Sequence, residues 1–138
     1  MSGMDYLVLL GCAALWFILG ALWYSPLLFA KPWMRALGKT QEELMAGGSS
    51  MAVAMSVSAF VCLMQAATVA FIITHFKIQS VVVAGMVGFL MALSFGFLAE
   101  WRSHHYVRRK ITLIWIDKGY DLVAAPMVAV IIMLYAQH

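Results

Sequence analysis

Ile111-Thr-Leu-Ile-Trp-Ile-Asp117-Lys118-Gly-Tyr-Asp121-Leu-Val-Ala-Ala-Pro126-Met-Val-Ala-Val-Ile-Ile-Met-Leu-Tyr135 reads as a membrane-spanning helix that carries two carboxylates and one amine. From Leu122 onward the apolar run is 14 residues. At the helical rise that covers only about 21 Å, short of the roughly 30 Å hydrocarbon core of a bilayer. To cross, the helix must take in the residues before Leu122, and Asp117 and Asp121 enter the membrane with them. Ionisable groups at that depth are costly and usually functional. The two acids lie four residues apart and share a helix face, and Lys118 can reach Asp121 from three residues before it. With a start near Ile111, Asp121 sits about 15 Å along the helix, close to the bilayer midplane. Pro126 leaves the Leu122 carbonyl without its usual helical donor, one turn from Asp121.

The rest of the chain agrees with a lipid solvent. Of 138 residues, 64% are hydrophobic and 11% charged, against roughly 45–50% and about 25% in soluble domains. Three more apolar segments cover about residues 4–24, 51–74 and 80–99, so 1–138 reads as one membrane domain of four spans, the last at 111–135. Asp5 can cap the first span, Trp23 and Tyr24 suit the headgroup boundary, and Pro26 ends the helix. The short link over 75–79 makes spans two and three an antiparallel hairpin. The longer linker, 27–50, is amphipathic. Pro32 is placed as a first helical residue, with Trp33, Met34 and Leu37 facing lipid. Thr40-Gln41-Glu42-Glu43 is a capping-box pattern that starts a second short helix. His75, in the turn, is expected to be solvated.

Orientation follows from Lys and Arg. Lys31, Arg35 and Lys39 lie in the first linker and Arg102, Arg108, Arg109 and Lys110 in the third, against Lys77 alone in the hairpin turn. Both long linkers are therefore expected in the cytoplasm and both termini outside. The fold class is all-α: an integral membrane four-helix bundle with a short interfacial helix between spans one and two. Cys12 and Cys62 fall in apolar stretches and are expected to be free thiols used for packing.

Span three carries Ser80, Ala84, Gly88, Ala92 and Gly96 at strict four-residue spacing, a row that lets another backbone approach closely. Span two carries Ala54, Ser58, Cys62, Ala66, Ala70 and Thr74 at the same spacing. The expectation is that the two rows pack on each other within the hairpin; the alternative is that one forms a homodimer seam.

Asp121 is the centre of the candidate site, with Asp117, Lys118, Gln65 and Thr68 around it. It serves either a proton, cation or polar substrate, or only a structural pair with Lys118. Glu100 and His104, four apart, with His105 beside them, offer too few ligands to assign a metal; the alternative is an interfacial cluster with Arg102, Arg108 and Arg109 that attracts anionic lipid. No serine has a His/Asp context, no glycine-rich phosphate loop is present, and the eleven Met suit lipid contact and gap filling. No enzyme activity, cofactor or nucleic-acid partner is expected.

Gly20-Ala-Leu-Trp23-Tyr24-Ser25-Pro26-Leu-Leu-Phe29-Ala-Lys31-Pro-Trp33-Met34 resembles the signature of a family of small four-helix bacterial membrane proteins known only as a domain of unknown function. Gly119-Tyr120-Asp121-Leu122-Val123 is similar to that family's last helix. The resemblance implies a bacterial inner-membrane location and the four-span layout, and it brings no catalytic residues. Physically, Trp23-Tyr24-Ser25-Pro26 fixes where the first span leaves the membrane, and Phe29, Lys31 and Trp33 hold the linker at the surface. The motif either anchors or also lines a cytoplasmic entrance to Asp121. Three functions are open at this point. One is a small channel or ion-coupled transporter centred on Asp121. Another is a non-enzymatic accessory or assembly subunit. The third is a lipid-modifying enzyme using Glu100, His104 and His105. Membrane lipid and either a homo-oligomer or a larger membrane partner are the expected associations.

Overall fold

The computed structural model describes residues 6–47 and 50–137; Asp5 as a cap and Gly48-Ser49 in the break lie outside the described residues. Among the described residues all regular structure is helical. The helices are α1 (Tyr6–Trp23), α2 (Ala30–Leu37), α3 (Gln41–Gly47), α4 (Met51–His75), α5 (Val81–Val107) and α6 (Ile111–Ala136). Four of these, α1, α4, α5 and α6, are long and apolar enough to cross a membrane. Large apolar side chains such as Phe60, Val82, Phe89, Leu98 and Leu134 are exposed along their outer faces. A water-soluble protein rarely exposes so continuous an apolar surface; in lipid it is the ordinary outer face.

Helix ends follow local chemistry. The Ser50 and Ser80 hydroxyls accept from the N–H of Val53 and Val83 at 3.3 and 3.4 Å, capping α4 and α5. The Thr40–Glu43 capping box forms in both directions and starts α3. Gly38, at φ +68°, closes α2 in the left-handed region that glycine tolerates best. Two boundaries differ from the sequence reading. α2 begins at Ala30, so Pro32 is its third residue; its missing N–H is harmless anywhere in the first turn. α5 runs eight residues beyond residue 99, to Val107, because nothing before Arg108 breaks it.

α6 is the central helix. Ala124, Ala125, Val128, Ala129, Ile132 and Met133 are all buried, and α1, α2, α4 and α5 each pack against it. α5 lies along α6, while α4 lies along α1 and α6. This corrects the expected pairing of small-residue rows within the hairpin. α4 and α5 are neighbours in sequence, yet they form no extended contact. The row on α5 faces α6: a Cβ at Gly88 would stand 2.5 Å from the Ala125 carbonyl oxygen and 2.8 Å from the Pro126 Cα. Of the row on α4, Cys62, Ala66 and Ala70 are buried in the core, while Ala54 and Ser58 are exposed. Small-residue spacing therefore identified a packing face and not its partner. Both cysteines are free and buried, as expected.

Within α5, Ala92–Phe97 forms a π turn. In an α-helix a strict four-residue step drifts about 40° per step, so a row running from Ser80 to Gly96 would swing away from its partner. The wider π turn offsets that drift. It brings Gly96 back over α6, where a Cβ would stand 3.8 Å from Lys118 and 3.9 Å from the Asp121 carboxylate.

Candidate functional site: a polar cleft between α4 and α5

Where α4 and α5 part, a cavity of about 390 Å³ opens at the level of Asp121. α6 supplies Lys118 and Asp121, α4 supplies Gln65 and Thr68, the π turn of α5 supplies Ala92, Phe95 and Gly96, and α1 supplies Trp16. Four of the five site residues anticipated from sequence thus meet at one cavity. Lys118 Nζ stands 3.8 Å from Asp121 Oδ2, and Gln65 lines the same cavity from α4. The Thr68 hydroxyl donates to the Met64 carbonyl of its own helix at 2.8 Å. Phe60 and Phe95 line the cavity and are 63% and 82% exposed, so its mouth is on the outer, apolar face of the bundle. The remaining titratable groups near Asp121 are Asp117 and Tyr120 on α6, Cys62 on α4 and Tyr24 beyond α1.

Asp117 has a different setting. It does not line the cavity; its Oδ1 accepts from the Tyr24 hydroxyl at 2.8 Å and from the Trp33 indole at 2.9 Å. Arg109 approaches Oδ2 at 3.7 Å and also pairs with Glu100. Burial and the adjacent Asp117 carboxylate push the Tyr24 phenol well above its ordinary value, so it stays a donor. One residue earlier, the Trp23 indole donates to the Ile116 carbonyl at 2.9 Å. The Ser25 hydroxyl turns back to Leu22 O at 2.7 Å, and Lys31 is exposed. The Trp-Tyr-Ser-Pro segment and α2 therefore form a latch onto the first turns of α6. Trp33, expected to face lipid, is turned inward to Asp117 for this reason.

Tyr120 makes a second lock that sequence reading did not anticipate. Its hydroxyl donates to the Trp16 carbonyl at 2.6 Å, beside the Cys62 thiol. Gly20 leaves room for it, since a Cβ there would come within 3.1 Å of the hydroxyl. Trp16 is 2% exposed, and its indole N–H has no hydrogen-bond partner. The sequence held one overlooked signal: a row kept at spacing four for sixteen residues cannot stay on one face of an uninterrupted α-helix.

Glu100, His104 and His105 do not line this cavity. Glu100 pairs with Arg109, the His104 ring contacts the Arg109 carbonyl, and His105 lies against Trp101 and His104. These contacts tie the end of α5 to the start of α6. Among the described residues no three His, Cys, Asp or Glu side chains converge as a metal set. His75, expected to be solvated, is exposed but stacks on Phe71, ring centroids 5.1 Å apart.

Four apolar helices around an acid–amine pair define a multi-pass helical membrane protein. Residues 7–133 match the family described as Protein of unknown function (DUF1761), and the chain belongs to it. No curated protein and no solved structure matches the chain.

Proposed function

We propose that this protein is a small ion-coupled carrier whose working centre is the Asp121–Lys118 pair. The observation that carries the reading is the placement of that pair: it borders an open cavity instead of being packed shut. A pair that only held the bundle together would gain from a dry, close-packed surround, because desolvation without full satisfaction is destabilising.

The chemistry is an exchange of partners. Asp121 and Lys118 neutralise each other in the resting cleft. A proton on Asp121 frees the Lys118 ammonium for an incoming negative group; loss of that proton restores the pair and expels the group. One proton then accompanies one negative charge, and the low-dielectric site never holds an uncompensated ion.

The basic linkers place the Trp-Tyr-Ser-Pro latch on the cytoplasmic side with both termini outside. α2 then lies at the interface, its exposed Lys31 and Arg35 toward headgroups, and the bacterial inner membrane implied by the family resemblance is the setting. Proton entry into phospholipid vesicles, followed with a trapped pH dye under an imposed gradient and a panel of organic anions, tests the carrier reading. Wild-type protein should exceed Asp121→Asn at least tenfold with a coupled anion present. Equal fluxes across the panel would overturn the reading.

A further inference from the structure

We infer that the α4/α5 cleft takes a single-chain amphiphile with an anionic head, of the hydrophobic carboxylate class, entering sideways from the bilayer. The inference deepens the carrier reading above by naming the substrate class.

Three independent features lead to it. First, the mouth is flanked by Phe60 and Phe95, both exposed on the surface that faces lipid. A ligand that reaches the cavity there must already be dissolved in the membrane. Second, the walls are largely apolar, with Val61, Met64 and Met91 lining the cavity along with the two phenylalanines. They suit an alkyl or similarly apolar body, and a volume of about 390 Å³ falls in the range of small-molecule sites.

Third, the inner end is short of acceptors. The Trp16 indole N–H is buried and unpartnered, an unfavourable state for a donor. Lys118 meets Asp121 only at 3.8 Å, too far for a good hydrogen bond, so its ammonium hydrogens remain to be given. A head with acceptor oxygens and a negative charge answers the ammonium, and Trp16 lines the same cavity. A cationic head would meet the Lys118 ammonium, and an alcohol would supply no counter-charge. With a carboxylate on Lys118 and a proton on an Asp121 carboxyl oxygen, the site is neutral; no other bond is made or broken. The π turn supports the arrangement, since it sets Gly96 over the pair and leaves the head unobstructed by a side chain.

The test uses the full chain, tryptophan-labelled with ¹⁵N, in phosphatidylcholine nanodiscs, with the Trp16 indole signal assigned through Trp16→Phe. The probes are dodecanoate, dodecanol and dodecylammonium. Dodecanoate should move the Trp16 signal saturably, and the other two should leave it in place at the same membrane loading. Lys118→Met should weaken dodecanoate binding at least tenfold. The three-probe comparison is made on wild-type protein once the Trp16 signal is assigned, and it stands even if the Lys118 variant does not fold. A Trp16 signal unmoved by dodecanoate, or moved equally by all three probes, would overturn the inference. So would a signal that follows the protein-to-lipid ratio instead of dodecanoate, because a second copy would then cover the cleft. Equilibrium binding is read separately from flux. Saturable dodecanoate binding without Asp121-dependent proton entry would remove the carrier reading and leave the site. Proton entry without such binding would remove only the amphiphile.

Discussion

Gly88→Leu is expected to destabilise the protein by about 3 kcal/mol or to prevent folding, the upper range for overpacking a close contact. Gly88→Ala should already cost about 1–3 kcal/mol. The reason is geometric: the first added carbon would sit 2.5 Å from the Ala125 carbonyl oxygen, and backbone cannot swing aside as a long side chain can. The Pro126 Cα is also among the atoms struck, at 2.8 Å. Gly85 is the matched control. A Cβ there would meet only Val130 Cγ2, at an ordinary 3.6 Å. Gly85→Ala should be neutral, or stabilising by up to about 1 kcal/mol through helix propensity. Thermal unfolding in detergent reads all three variants. A Gly88→Ala protein as stable as Gly85→Ala would show that α5 and α6 do not approach as described.

Asp117→Ala is expected to cost about 2–4 kcal/mol, because hydrogen bonds to a charged acceptor are worth about 1.5–3 kcal/mol each, and the partly buried Trp33 donor and the more exposed Tyr24 donor both lose theirs. Tyr24 and Trp33 would be left facing each other's rings without an acceptor. The loss should be local at first: protease cleavage within 27–40 should rise while the α5–α6 contact holds. Lys31→Ala should show none of this, since Lys31 is exposed. Unchanged stability and unchanged cleavage in Asp117→Ala would mean that α2 is held by something other than the latch. Asp117 and Asp121 thus have separate settings, one fastening the linker and one bordering the cleft.

That separation was beyond the sequence. The short apolar run after Leu122 was enough to bring both acids into the final helix, because bilayer thickness and helical rise are fixed quantities. Spacing put them on one face but could not tell them apart. The difference comes from Tyr24 and Trp33, which lie 93 and 84 residues from Asp117 in the chain. Aromatic residues with one polar atom suit a headgroup boundary or a buried acceptor equally well, so the motif read as an anchor when it also fastens α6. The small-residue rows likewise marked faces that tolerate close approach without naming the opposing helix. The cleft exists because each row chose a partner other than its hairpin neighbour. That choice depends on packing among four helices at once, and no local pattern records it.

The central claim is that the final helix carries Asp121 deep into the bilayer. Val123 is exposed on α6 two residues further on, so a nitroxide at Val123→Cys, with Cys12 and Cys62 changed to Ala, reports that depth and leaves the acid in place. Tyr106→Cys at the basic end serves as the shallow reference, since Tyr106 is 84% exposed. In bilayers, power-saturation measurements should find the Val123 label strongly relaxed by oxygen and barely by a water-soluble nickel chelate, with the reverse at Tyr106. A Val123 label as open to the nickel chelate as the Tyr106 label would place Asp121 in bulk water and contradict the account.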